Sequence, residues 1–264
     1  MDFTSITSRI AFVAVLSVCA LGTPLRAQDP FEIAVYPAAT LARGEWELET
    51  HLNYTVRGTT TFDGTVAPTE RQTHLSFELS HGITSWWEAS AYFLSAYRPG
   101  LGAQYAGWRL RSRVSAPAHW NLPVELGFSA EIEAPQPAYG GASPTLELSP
   151  ILAKRFGALR LGLNANLERD IGAGEAGGTE QEWEFEPSAV AAYRLSSVVT
   201  ARVEYHGAIG EKAGPLAAST AVHQIFPGVD LDLGKEIALG LSVGFGTTSA
   251  GNRLVFASRL ELDF

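Results

Sequence analysis

The chain has 264 residues, of which 46% are hydrophobic and only 18% are charged. This composition excludes an intrinsically disordered protein, and the charged fraction lies below the roughly 25% of soluble domains. A formal net charge of −9 argues against nucleic-acid binding, which needs a basic surface. One cysteine and six histidines without metal-binding spacing give no reason to expect a metal or any other cofactor.

The first 27 residues have the features of a secretory signal peptide. Arg9 provides a positive charge, and an apolar run extends from Ile10 to Leu21, which is too short to cross a bilayer about 30 Å thick as a helix. Small residues follow, with Ala27 as the last residue before the expected cleavage. The sequence therefore predicts export. Residues 28–44, whose prolines disfavour a strand, are predicted to be a short periplasmic segment.

From residue 45 onward, apolar and polar residues alternate with the period of a β-strand. Near the C-terminus, for example, Leu260 and Leu262 share the apolar face, whereas Arg259 and Glu261 share the polar face. This alternation predicts about twelve strands of about 9–13 residues, close to the length at which a tilted strand crosses a bilayer. The predicted strands are 45–57, 72–81, 86–95, 107–115, 123–133, 144–154, 158–169, 182–194, 198–207, 223–233, 236–246 and 252–264.

The connections between these strands alternate between short turns and long loops. The long ones are 58–71, 96–106, 134–143, 170–181 and 208–222. Short turns on one side and long loops on the other are typical of transmembrane barrels, and so are aromatic residues near strand ends, such as Trp46, Tyr54 and Trp87. A soluble sandwich fits less well because its strands are shorter. We therefore predict an all-β fold, a transmembrane antiparallel up-and-down β-barrel of about twelve strands over residues 45–264.

The C-terminus resembles that of Gram-negative outer-membrane β-barrels. It ends on Phe264, preceded by the alternating Leu262 and Leu260, and in that group such an ending is the assembly signal for the barrel-assembly machinery. The turn from Gly82 to Glu88 is similar to the Gly-(Leu/Ile)-Thr-x-x-aromatic-Glu hairpin of transporter barrels of the phenol-degradation meta-pathway type. The resemblance implies the bacterial outer membrane as the location. Its lipid, lipopolysaccharide and the barrel-assembly machinery are the implied partners.

The predicted alternation directs a set of charged side chains into the barrel lumen. One interpretation is a transverse field that selects small polar solutes, and because acids outnumber bases an open lumen would favour cations. The other interpretation is a set of cross-strand ion pairs that neutralise one another and partly fill the lumen. The predicted lumen-lining residues are Arg109, Arg111, Arg113, Glu88, Glu125, Glu131, Glu133, Glu45, Glu47, Glu49, Arg259 and Glu261.

Three functions are compatible with such a barrel. A narrow passive channel or transporter for small polar solutes or ions is favoured, since twelve strands lie between filled eight-stranded barrels and water-filled porins. The alternative is a structural or surface-interaction barrel with a plugged lumen. A lipid hydrolase is the third, because His74, Ser76 and Glu78 share a face and His-x-Ser is similar to outer-membrane lipid A deacylases. These residues are about 7 Å apart along the strand and face away from lipid, so no enzyme is predicted.

Overall fold

A computed structural model describes residues 29–172, 183–211, 214–215, 221–248 and 250–264. The predicted signal peptide, residues 1–27, lies outside the described residues, as does most of the predicted loop 170–181. In the described part of the chain, no helix is both long enough and apolar enough to cross a membrane.

Twelve long strands make up most of the described chain. A 3-10 turn, Ala118–Trp120, and a one-turn helix α1, Pro137–Gly140, lie in connections, and two-residue strands β10, Gly210–Glu211, and β11, Gly214–Pro215, extend the sheet beside β8. The long strands are β1 Trp46–Arg57, β2 Thr73–Thr84, β3 Trp87–Arg98, β4 Gly102–Ser115, β5 Glu125–Pro135, β6 Thr145–Phe156, β7 Leu159–Asp170, β8 Glu184–Arg194, β9 Val199–Ala208, β12 Val222–Asp232, β13 Ile237–Gly246 and β14 Leu254–Asp263.

The sheet closes on itself, with every long strand antiparallel to both neighbours. β1 pairs with β14, so that Tyr54 lies opposite Phe256, and β8 pairs with β9. Closure pairs the backbone of the first and last strands, which an open sheet would leave without hydrogen-bond partners. The predicted antiparallel barrel of twelve strands is confirmed.

The two faces of the barrel have opposite polarity. Leu52 and Phe93 on the outside are about half exposed, at 47% and 50%. On the inside, Ser76, Glu88 and Asn164 are completely buried. A soluble protein has the reverse distribution, whereas a barrel in lipid needs an apolar outer surface and tolerates a polar interior.

The connection between β3 and β4 is shorter than predicted. The expected long loop 96–106 is a turn of residues 99–101, because β4 already starts at Gly102. A bulge shifts the register between the two strands. At the bulge, Gly107 has φ +146°, and a Cβ there would clash with the backbone carbonyl of Ala134. The bulge changes which residues face outward, from Tyr105 before it to Trp108 after it. The alternation therefore breaks at the bulge, and the predicted strand began only at residue 107.

Residues 29–42, called the lumen segment below, run inside the barrel. At the end of the barrel that carries the long loop 58–72, the Phe31 ring packs edge-on against the His74 ring, with 4.8 Å between ring centroids. In the middle, the Tyr36 N–H donates to Asn164 Oδ1 at 2.7 Å. At the short-turn end, the Leu41 N–H donates to Glu88 Oε2 at 2.8 Å.

The lumen segment forms no strand, as expected for residues 28–44. The described part of it fills space between the inward side chains of the barrel. Its apolar residues pack there, Phe31 against Leu94 and Ala38 against Ile151. Its backbone groups are satisfied by inward polar side chains, and Asn53 Nδ2 donates to the Pro30 carbonyl at 2.9 Å.

Candidate functional site

The three arginines of β4 point inward, and all are buried. Arg113 Nη2 lies 2.6 Å from Glu88 Oε1 on the neighbouring strand β3. Arg111 pairs with Glu78 on β2, and its Nη1 also lies 3.3 Å from Glu32 Oε1 of the lumen segment. The three arginines form a ladder along β4, and their charges are engaged with carboxylates on both the wall and the lumen segment.

Arg109 joins the lumen segment to the barrel wall. Its guanidinium pairs with Asp29 and lies 2.7 Å from Glu32 Oε2, both on the lumen segment. On β5, it lies 3.0 Å from Glu131 Oε1 and 2.5 Å from Glu133 Oε2. A guanidinium presents five donors in a fixed plane, which suits several carboxylates at once.

A second ion-pair network lies at the seam between the first and last strands. Arg259 on β14 lies 2.7 Å from Glu261, 3.8 Å from Asp230 on β12 and 3.9 Å from Glu49 on β1. Arg202 on β9 lies 2.8 Å from the same Asp230 carboxylate. Arg259, Glu261 and Glu49, three of the predicted lumen-lining residues, are therefore brought together at this seam.

Three predicted residues lie away from these networks. Glu45 and Glu125 are exposed at the short-turn ends of their strands. The Glu45 carboxylate accepts a hydrogen bond from the Ala42 N–H at 2.8 Å, where the lumen segment leaves the barrel. Glu47 faces inward near the same end, opposite Asp263 and Ser80 in the sheet register.

Sequence reasoning missed a buried carboxylate, Glu32, that joins the lumen segment to two arginines. Glu32 contacts Arg109 and Arg111, accepts a hydrogen bond from the Tyr36 hydroxyl at 2.9 Å, and is 6% exposed. The predicted lumen set already held more acids than bases, so its charge balance did not indicate a further carboxylate. Nothing in the local pattern of residues 28–44 indicated that they would supply one.

One buried group in the lumen has the residue types of a metal site. Ligand atoms of Glu32, Glu49, His51 and Glu78 all lie within 4.8 Å of one another. Each of the three carboxylates already has an arginine partner, since Arg111 pairs with Glu32 and Glu78, and Arg259 approaches Glu49. A metal ion would have to displace these guanidinium groups, so the cluster is best described as a charge-balanced anchor for the lumen segment.

The possible hydrolase residues are part of the packing around the lumen segment. Ser76 Oγ donates to the Phe31 carbonyl oxygen at 3.0 Å, and the His74 ring packs against the Phe31 side chain. Glu78 pairs with Arg111. Since the hydroxyl is buried and bonded to backbone, the arrangement offers no activated nucleophile at the lipid surface.

No protein-family model and no curated protein matches this chain. Among solved structures, the COG4313 outer membrane channel from Pseudomonas putida F1 is similar, with a TM-score of 0.60 and 12% identity over 88% of this chain and 100% of that chain. KdgM porin has a TM-score of 0.54 and 9% identity over 83% and 99% of the two chains. NanC porin has a TM-score of 0.53 and 8% identity over 83% and 98%. At such identities the likeness shows the fold, a barrel of the outer-membrane channel and porin type.

Proposed function

We propose that this protein is a bacterial outer-membrane barrel that acts as a narrow passive channel for small polar solutes or ions. The observation that carries the proposal is the inverted polarity, a charged lumen inside an apolar outer surface. Lipid would cover that surface, and water and solutes would be the natural contents of the interior. The likeness in fold to solved channels and porins supports this function. No enzymatic role is proposed.

The lumen segment makes the channel narrow. It occupies the interior from Asp29 to Ala42, so that a solute has to pass beside it or displace it. Transport in this proposal therefore depends on movement of the lumen segment, which is held by hydrogen bonds and ion pairs rather than by strand pairing. Because the wall carries more acids than bases, we expect the conducting state to prefer cations.

The second candidate is a structural or surface-interaction barrel with a permanently filled lumen. Two features favour it. The β4 arginines are neutralised by carboxylates, and the buried lumen segment fills space that a wide pore would need. The two candidates differ in one measurable property, whether the lumen segment can leave its position in the folded barrel.

A disulfide between the lumen segment and the wall distinguishes these candidates. Thr40 Oγ1 of the lumen segment lies 3.1 Å from Ser115 Oγ at the end of β4, so Thr40→Cys with Ser115→Cys places the two sulfurs within bonding reach. In planar bilayers, we expect unitary conductance steps from the reduced double variant and smaller or no steps after oxidation. Each single cysteine variant, as a control, should conduct equally in both redox states.

Absence of steps from both the wild-type protein and the reduced double variant would contradict the channel and support the filled barrel. Reversal potentials measured in a salt gradient test the expected selectivity separately. Anion preference would contradict the role given to the inward acids.

A further inference from the structure

Three exposed arginines lie together at the end of the barrel that carries the long loop 58–72. Arg57 ends β1, Arg71 precedes β2 and Arg253 precedes β14, and these three strands are neighbours in the sheet. Two backbone hydrogen bonds hold the positions together. The Arg253 N–H donates to the Arg57 carbonyl at 2.7 Å, and the Arg71 N–H donates to the Thr55 carbonyl at 2.8 Å. All three residues line one open depression of about 590 Å³, called the rim depression below.

The rim depression is positively charged on a chain that is acidic overall. Its lining contains the three arginines and one acid, Glu70, whereas the whole chain has a formal net charge of −9. None of the three guanidinium groups has an ion pair or a hydrogen bond to another side chain in the part of the chain that the structure describes. The buried arginines of β4 differ, because carboxylates already pair with them. The rim depression therefore offers guanidinium groups to an anion from outside the chain.

The rim depression lies on the lipid side of the wall rather than on the lumen side. Tyr54 lines it and lies opposite Phe256, and both side chains face outward, 39% and 51% exposed. A bulge in β1 shifts the register just before Arg57, which therefore lies opposite Leu254, on the apolar face that Phe256 shares. Outward aromatic residues at strand ends lie at the level of the lipid headgroups. The anion at this height is therefore a headgroup rather than a solute inside the lumen.

Arg71 has a backbone conformation that arginine rarely adopts. Its φ is +61°, in the left-handed region that favours glycine and asparagine. The turn is held there by the hydrogen bond to Thr55 and by the Gln72 N–H, which donates to the Thr69 carbonyl at 3.1 Å. Because an asparagine would suit this backbone better, the arginine points to a role of its side chain rather than of the turn.

The chemistry of the rim depression favours a phosphate monoester as the ligand. A guanidinium binds phosphate oxygens in a bidentate way, and a phosphate monoester carries a charge of about −1.5 to −2 near neutral pH. The volume lies within the roughly 300–1,000 Å³ of ligand pockets, so a phosphorylated sugar fits. In outer-membrane barrels the longer loops face the outside. The lipid on that side is lipopolysaccharide, whose lipid A part is a phosphorylated sugar with acyl chains.

We propose that the rim depression binds a phosphate group of lipid A, with Arg57, Arg71 and Arg253 as its ligands. The acyl chains of this lipid extend along the outer surface beside Tyr54 and Phe256. A bound lipid therefore covers the seam between the first and last strands on its outer side. The site goes beyond the proposed channel function: it rests on the outer-membrane location but not on conduction.

Lipid binding by the folded, full mature chain in detergent tests the site. Purified diphosphoryl lipid A is titrated into the micelles, and native mass spectrometry measures the fraction of protein with bound lipid. We expect saturable binding of lipid A to the wild-type protein. Arg71→Asn and Arg253→Gln should each weaken binding by about fivefold, the upper range for one exposed ion pair. Arg194→Gln, exposed at the short-turn end of β8, is the matched control and should leave the affinity unchanged.

Two further probes identify the part of the ligand that is recognised. Lipid A from which both phosphates have been removed should bind at least tenfold more weakly than the diphosphoryl form. Inorganic phosphate should compete only at far higher concentration than lipid A, because it lacks the acyl chains that contact the outer surface.

Stability measurements separate a lost ligand contact from a folding defect. Arg71→Asn places a residue that tolerates the left-handed region, and in the described chain neither variant removes a side-chain partner. In phosphatidylcholine vesicles without lipopolysaccharide, both variants should therefore unfold in urea like the wild-type protein. With lipid A added, the wild-type protein should gain more stability than the variants, because a ligand stabilises the state that binds it.

Four results would overturn the proposal. The first is no saturable binding of lipid A by the folded wild-type protein, and the second is equal affinity of the wild-type protein and the rim variants. An Arg194→Gln loss as large as that of the rim variants would show general attraction between charges instead of a site. Equal binding of the dephosphorylated lipid, or of inorganic phosphate, would remove the phosphorylated lipid as the ligand. No current is measured, so failure of this site and failure of the proposed channel are distinguishable.

Discussion

At the scale of single residues, buried arginines determine the arrangement of the lumen. A guanidinium keeps its charge when buried, and it is tolerated there only when carboxylates surround it. Arg109 is 2% exposed and contacts carboxylates on the lumen segment and on β5. Arg109 therefore ties the lumen segment to β5 through ion pairs, beside the apolar contacts of Phe31 and Ala38.

Arg109→Gln should destabilise the folded barrel. The substitution leaves buried carboxylates, Glu32 and Glu131 among them, without their cation, and breaking a buried ion pair in this way costs about 3–5 kcal/mol. The free energy of unfolding, measured by urea titration in lipid vesicles, should fall by an amount of this order. Arg57→Gln removes the same charge from an exposed position at the end of β1 and should have little effect. Equal stability of the two variants would contradict the role of Arg109.

At the scale of strands, the outward face of each one is the surface that lipid would cover. The alternation along β4 is interrupted by the bulge at Gly107, after which Trp108 and Leu110 face outward. A bulge adds a residue to one strand and so moves the following side chains to the opposite face. Periodicity alone therefore detected β4 only after the bulge, and it missed the part of the strand from Gly102 to Ala106.

Leu110→Arg tests the lipid-facing surface of β4. Leu110 lies near the middle of the strand and is 53% exposed, and an arginine at the bilayer midplane costs about 2–4 kcal/mol in a barrel. Leu101→Arg, in the turn between β3 and β4, should cost little because the turn lies outside the hydrocarbon layer. Urea unfolding in vesicles gives both values. A Leu101→Arg cost as large as that of Leu110→Arg would show that β4 does not cross the bilayer as described.

At the scale of the whole molecule, closure of the sheet is the property that joins the ends of the chain. Tyr54 and Phe256 lie opposite each other at the seam and both face outward. Opposite residues in an antiparallel pair have Cα atoms about 4.5–5.5 Å apart, within the range of a disulfide. We expect Tyr54→Cys with Phe256→Cys to form a disulfide in the folded protein and to change its gel mobility after denaturation.

A pair displaced along the same strand is the control for the seam. Leu260 also faces outward on β14, but its partner in the register is Thr50. Tyr54→Cys with Leu260→Cys places the two sulfurs about four residues apart along the strand direction, roughly 13 Å, which a disulfide cannot span. Cross-linking of the displaced pair, or none of the opposite pair, would contradict the seam as described.

The sequence by itself determined the strands, their two faces and the need for closure, because each follows from local alternation and from the requirement that backbone groups in lipid be paired. The alternation also predicted that Arg109, Arg111 and Arg113 share one face of β4. Only the tertiary structure decided which carboxylates pair with these arginines inside the barrel. The lumen segment has no periodicity that reveals its location, and the contact between Glu32 and Arg109 joins residues 77 positions apart. Likewise, the register that places Glu131 opposite Glu147 is set by pairing between strands, which the pattern within a single strand does not contain.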